Sequence, residues 1–123
     1  MSNEQQRLTG KRIAALVTDG FEEVELTAPV NALKAEGAEV DVIVPGGDTA
    51  RAWANTDWGA RISADAGLAE ADPTRYDGLL LPGGVMSPDH LRMDARAVSF
   101  VRAFVDLNKP IAAICHAPWT LIN

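Results

Sequence analysis

The sequence predicts an α/β fold built on a mostly parallel sheet with helices on both faces. Strands are read at Ile13 to Val17, Glu39 to Val44, Leu79 to Leu81 and Ile111 to Ile114, and all but the second are continuous apolar runs, as expected of strands buried on both sides. Between the first pair and between the last pair lie stretches with helical spacing, 21–36 and 95–107. Strands that alternate with helices pair in parallel through crossovers, and ligand sites in such sheets lie at the carboxyl ends of the strands.

Residues 1–10 are polar and read as a disordered or loosely attached lead-in. Lys11-Arg12 precede the first strand, and Thr18-Asp19-Gly20 end it. The helix from Phe21 to Glu36 spaces Leu26, Val30 and Leu33 along one face, and its first turn is acidic (Glu22, Glu23, Glu25), as the helix dipole favours. Pro29 inside it either kinks the helix or marks its true start, and Gly37 is placed to stop it. After the second strand, Pro45-Gly46-Gly47-Asp48 reads as a turn. Trp53, Trp58 and Ile62 fall either in short hairpin strands or in loops packed on the sheet edge. Asp72-Pro73 breaks any helix there, and the third strand runs into Pro82-Gly83-Gly84. The helix of 95–107 counts Val98, Val101, Ala103 and Val105 among its apolar positions. Asn108-Lys109-Pro110 stops it.

Composition narrows the function classes. The chain has 123 residues, enough for one domain with a real core. A net charge of −6 argues against nucleic acid or anionic membranes as main partners. No apolar stretch approaches membrane-spanning length, and the N-terminus lacks the apolar centre of a signal peptide. A single cysteine permits no internal disulfide, so a reducing cytoplasm is the expected setting. With one Cys and two His, no zinc-ligand spacing arises, no phosphate-cradling loop is present, and no cofactor is expected.

The chemistry converges on the last dozen residues. The apolar run Ile111 to Ile114 stops at Cys115-His116; small residues and Pro118 follow, then an apolar stretch fit to open a helix. Strand, sharp turn with a nucleophile, and helix make a nucleophile elbow, whose helix N-terminus favours a thiolate. A lone cysteine in an apolar strand is more often a small buried hydrophobe. The adjacent His116, the upstream Pro-Gly-Gly and the early acidic cluster weigh toward the nucleophile.

Three segments, Asp19-Gly20-Phe21-Glu22-Glu23-Val24-Glu25-Leu26-Thr27-Ala28-Pro29, Leu79-Leu80-Leu81-Pro82-Gly83-Gly84 and Ala113-Ile114-Cys115-His116-Ala117-Pro118, resemble the signatures of the ThiJ/PfpI family. That family is a branch of the class I glutamine-amidotransferase-like superfamily that includes intracellular peptidases, glyoxalases, reported deglycases and oxidative-stress proteins. The resemblance runs from about Lys11 to the last residue, and Ser87-Pro88-Asp89 with the Cys-His pair is most similar to the PfpI-type subgroup. It implies a flavodoxin-like three-layer sandwich. Members usually continue several dozen residues past the elbow, so residues 11–123 are expected to form an incomplete domain.

The resemblance also implies roles. Glu25 matches the acid whose protonated carboxyl approaches the nucleophilic sulfur. A carboxyl buried beside a thiolate has its pKa raised and can donate a hydrogen bond to it. Its other readings are proton transfer to substrate, or a dipole-complementing acid, which describes Glu22 and Glu23 better. His116 would be general base, oriented by Asp89 from a neighbouring subunit; read blandly, Asp89 caps a turn. The amides of Gly84 and His116 would form an oxyanion hole, with Gly83 and Gly84 letting backbone approach the substrate.

These groups suit a cysteine hydrolase acting on a peptide or amide carbonyl or on a reactive 2-oxoaldehyde, with a short peptide or small aldehyde as substrate. The assembly is then at least a homodimer. The alternative is a non-catalytic oxidative-stress sensor or chaperone-like protein whose Cys115 oxidises to the sulfinic acid. An ammonia-delivering amidotransferase subunit ranks last, because no late catalytic His and Glu follow.

Overall fold

The computed structural model describes residues 8–21, 23–47, 49–54, 57–82 and 94–113. In chain order these form β1 (Arg12–Leu16), α1 (Glu23–Ala35), β2 (Glu39–Ile43), β3 (Thr49–Ala54), β4 (Asp57–Ser63), a short 3-10 helix (Pro73–Arg75), β5 (Gly78–Leu81), α2 (Ala95–Asp106) and β6 (Ile111–Ala113). Four strands make a parallel sheet in the order β2-β1-β5-β6, and β3 and β4 form a separate antiparallel hairpin. This is the predicted α/β architecture, a mostly parallel sheet with helices.

Alternation along the central strands splits the core in two. Ala14 and Leu16 of β1, with Leu79 and Leu81 of β5 and Ile43 of β2, join Ala97, Phe100, Val101 and Phe104 of α2 in one cluster. Ala15, Val17 and Leu80 turn the other way and meet Phe21, Leu26 and Val30 with Ala50 and Ala52 of the hairpin. Successive side chains of a strand point to opposite faces, so a strand apolar throughout serves both cores. The two helices lie on opposite faces for a topological reason. The β1-α1-β2 and β5-α2-β6 crossovers move in opposite directions along the sheet, and right-handed crossovers then fall on opposite sides.

Several sequence expectations are refined. α1 runs through Pro29 without starting there, burying Leu26 and Val30, with Leu33 packed against the same core. Gly37 ends it in the left-handed region, at φ +93°. The last three residues of the expected lead-in, Leu8 to Gly10, form a turn in which the Leu8 amide donates to the Glu36 carbonyl at 2.8 Å. α2 begins at Asp94, whose carboxylate accepts the Arg96 amide at 2.9 Å. Burial works to raise the Asp94 carboxyl, but the hydrogen bonds and charge of Arg96 outweigh it and hold the pKa below its ordinary value. Ala97, Phe100, Val101 and Phe104 carry the buried face of α2, whereas Val105, another of the apolar positions noted in the sequence, is 55% exposed. The rings of Phe100 and Phe104 sit 5.2 Å apart and tilted, so the aromatics set the phase of the helix.

The outer edge of β2 is covered rather than left open. The Asp65 carboxylate accepts the Val42 amide at 2.7 Å, and the Asp65 amide returns a bond to the Val42 carbonyl at 2.7 Å.

Candidate active site

Four parallel strands end at the carboxyl edge of the sheet, and three of the segments that follow them carry the candidate residues. The first follows β1. The Val17 amide extends that ladder to the Ile43 carbonyl at 3.0 Å, after which the chain turns at Thr18-Asp19-Gly20 into α1. Gly20 has φ +89°, a left-handed conformation that costs an L side chain about 1–2 kcal/mol. Its amide donates to the Arg51 carbonyl at 2.9 Å, and the Asp19 carboxylate accepts the Arg51 amide at 2.8 Å. This two-bond clamp fixes the β3–β4 hairpin to the turn that launches α1. Phe21, fully buried, anchors the turn in the core below.

Glu25 lies in the first turn of α1, half-buried, at this edge. Pro29, four residues on, has no N–H to offer the Glu25 carbonyl, which a regular helix would otherwise pair there. Of the candidate site residues, Glu25 is the one among the described residues. Gly83, Gly84, Asp89, Cys115 and His116 lie outside them.

The strands leading to those positions are described. β5 closes with Leu81, which is buried, as is Pro82 after it, immediately before Gly83 in the sequence. β6 closes with Ala113, the register partner of Leu81, two residues before Cys115. β1 flanks β5 on its other side, with Ala15 opposite Leu80. The chain turns one way from β1 to β2 and the other way from β5 to β6. The gap between β1 and β5 is therefore the topological switch point, outside which ligands bind in open α/β sheets.

The other polar cluster sits at the opposite edge. Arg12, the first residue of β1, ion-pairs with Asp41 at 2.9 Å and stacks over the Tyr76 ring at 5.1 Å; the Tyr76 hydroxyl donates to Asp41 at 2.8 Å. Burial, aided by the hydrogen bond and negative charge of Asp41, pushes the Tyr76 phenol up to about 12. The Lys109 ammonium donates to the carbonyls of Pro73, Thr74 and Tyr76 beside it. These groups weld loops at the amino edge and belong to structure, not to the site. Among the described residues, no group of three or more His, Cys, Asp or Glu is arranged to hold a metal ion, and no helix is long and apolar enough to cross a membrane.

Sequence reasoning placed Asp19-Gly20 at this edge but missed Arg51 as their partner. The two lie 32 positions apart, and no local pattern joins them.

The DJ-1/PfpI family profile matches residues 11–123. The chain belongs to the DJ-1/PfpI family. Among its DJ-1/PfpI relatives, Protein/nucleic acid deglycase 2 of Escherichia coli strain K12 is 43% identical over 114 residues, covering 92% of this chain and 64% of that protein. General stress protein 18 of Bacillus subtilis strain 168 is 43% identical over 115 residues, covering 93% of this chain and 64% of that protein. A two-domain crystal structure from Anabaena variabilis, with dj-1/thij/pfpi-like and ferritin-like domains, superposes with a TM-score of 0.81 at 32% identity. It covers 91% of this chain and 31% of that one. The chain thus spans about 64% of the length of these two named relatives.

Proposed function

We propose that this DJ-1/PfpI chain belongs to a cysteine-dependent enzyme acting on a small carbonyl electrophile, either a short peptide or amide or a 2-oxoaldehyde. The observation that supports it is the arrangement of the carboxyl edge: β5 and β6 end level, before Gly83 and Cys115 respectively, beside the turn that carries Glu25. A relative named as a protein/nucleic acid deglycase supports this reading.

In this reading the Cys115 thiolate attacks the carbonyl carbon, and the electron pair of the C=O bond moves onto oxygen. The Gly84 and His116 amides hold that oxyanion, where losing one donor raises the barrier by about 2.7–4 kcal/mol. Glu25 donates a hydrogen bond to the sulfur; with a peptide or amide His116 protonates the amine that leaves as the oxyanion collapses to a thioester, which water then hydrolyses, and with a 2-oxoaldehyde it moves the proton between the two carbonyl carbons. Asp89 orients His116 from a neighbouring subunit, which makes the working unit a homodimer or larger.

The test is to incubate the native protein with methylglyoxal and with a fluorogenic short peptide, beside Cys115→Ala. Turnover of either substrate that vanishes in the variant supports the enzyme. Selective peroxide oxidation of Cys115 with no turnover of either overturns it in favour of a stress sensor.

A further inference from the structure

The junction before β5 and the junction before β6 meet at one charge. The Lys109 ammonium donates to the carbonyls of Pro73 and Thr74 at 2.9 and 3.3 Å and to that of Tyr76, and it lies 5.8 Å from the centre of the Phe104 ring. An ammonium has three N–H groups, and here they serve three carbonyls with an aromatic ring beside them. The bonds to Pro73 and Tyr76 are partly buried, where withdrawing a charged donor costs more than withdrawing a neutral one.

The backbone aims Lys109 at this cradle. α2 ends with Asn108 at φ +58°, in the left-handed region, and the Lys109 amide then bonds the Phe104 carbonyl at 2.9 Å. Pro110 follows, and its carbonyl accepts the Leu79 amide at 3.0 Å, which ties β6 to β5 at their amino ends. β6 needs such a hold. It is three residues long and pairs in the described sheet with β5 alone. A strand this short is marginal by itself.

We propose that Lys109 is a charge-operated latch: its ammonium holds β6 in the sheet, and acylation of its nitrogen releases that strand. In the acylation the ammonium first gives a proton to water, and the freed lone pair attacks the carbonyl carbon of an acyl thioester. The thiolate leaves with the bonding pair and takes up the second proton. The amide that results is neutral and keeps one N–H, so it cannot serve three carbonyls. The latch does not depend on the chemistry at Cys115.

The nitrogen must leave its cradle before it can react, so acylation reports the opening. Native protein treated with N-hydroxysuccinimidyl acetate should acetylate Lys109 at least about tenfold more slowly than Lys11 and Lys34, which are both exposed. Concentrated urea should abolish the difference. Equal rates in the folded protein overturn the latch. In Lys109→Gln, which mimics the acylated side chain, hydrogen exchange of the Leu79 amide should quicken by about tenfold, and that of the Val17 amide, between β1 and β2, far less. Lys109→Arg keeps the charge and should keep most of the native protection. An unchanged Leu79 rate in Lys109→Gln, equal quickening at Leu79 and Val17, or equal loss in the Arg and Gln variants overturns the proposal. Should Lys109→Gln fail to fold, the acetylation rates of the native protein decide it.

Discussion

Leu81 and Ala113 are register partners at the carboxyl ends of two adjacent parallel strands. Two chain segments therefore leave the sheet level with each other, one toward Gly83-Gly84 and the other toward Cys115-His116. The third segment, from β1, passes through a glycine turn into the helix that bears Glu25.

If Glu25 donates a hydrogen bond to the sulfur, its removal makes the thiolate harder to form. Glu25→Ala should raise the Cys115 pKa by about one unit, slowing iodoacetamide alkylation about tenfold at pH values below both pKa values. Glu25→Gln keeps a donor and should retain most of the native rate. Equal rates for native protein and Glu25→Ala would remove Glu25 from the site.

The clamp between Gly20 and Arg51 makes a local prediction. Gly20→Ala forces a methyl-bearing residue into a left-handed conformation and should lower stability by about 1–2 kcal/mol. Hydrogen exchange should quicken chiefly in residues 49–63, with the Arg51 amide first. Uniform quickening across the sheet would mean that the turn serves global stability instead.

Phe104 and Val105 are neighbours in sequence and opposites in environment, fully buried and 55% exposed respectively. Phe104→Ala should lose about 3–5 kcal/mol in urea unfolding, whereas Val105→Ala should stay within about 0.5 kcal/mol of native. Similar losses for both would contradict the phase of α2.

Tyr76 gives a pH signature. Its folded pKa, about 12, lies above the ordinary phenol value of 10.0. The unfolded chain therefore ionises first, and the stabilisation, complete below pH 10.0, is lost as pH rises toward about 12. Water at the sheet edge screens part of it, leaving a loss on the order of 1 kcal/mol. The urea midpoint of native protein should fall faster over that window than that of Tyr76→Phe; parallel curves would refute the linkage.

Three of the four sheet strands are legible as short apolar runs bounded by polar or turn residues, whereas β2 carries Glu39 and Asp41 and is marked by Val40 and Val42 and by the Pro45-Gly46-Gly47 turn after it. The phase of α2 is not legible. Apolar residues occur nearly all round that helix, and the two phenylalanines, four apart, outweigh the valines when packing decides which face goes inward. The hairpin was left open between strands and loops, because its inward residues Ala50 and Ala52 are too small to announce a strand. The carboxyl edge as the expected place for a site follows from strand order alone. The bond between Asp19 and Arg51 does not, since tertiary pairing over such a separation leaves no trace in local pattern.

The order β2-β1-β5-β6 has a consequence for how the protein is made. β1 finds β2 early, Arg12 against Glu39, but its other neighbour emerges only with Gly78, opposite Ile13. Until then a nascent chain holds an open, strongly apolar strand edge, and closing it requires a long loop to be drawn in. Synthesis paused between those two points should be when this protein is most prone to self-association and most in need of a chaperone.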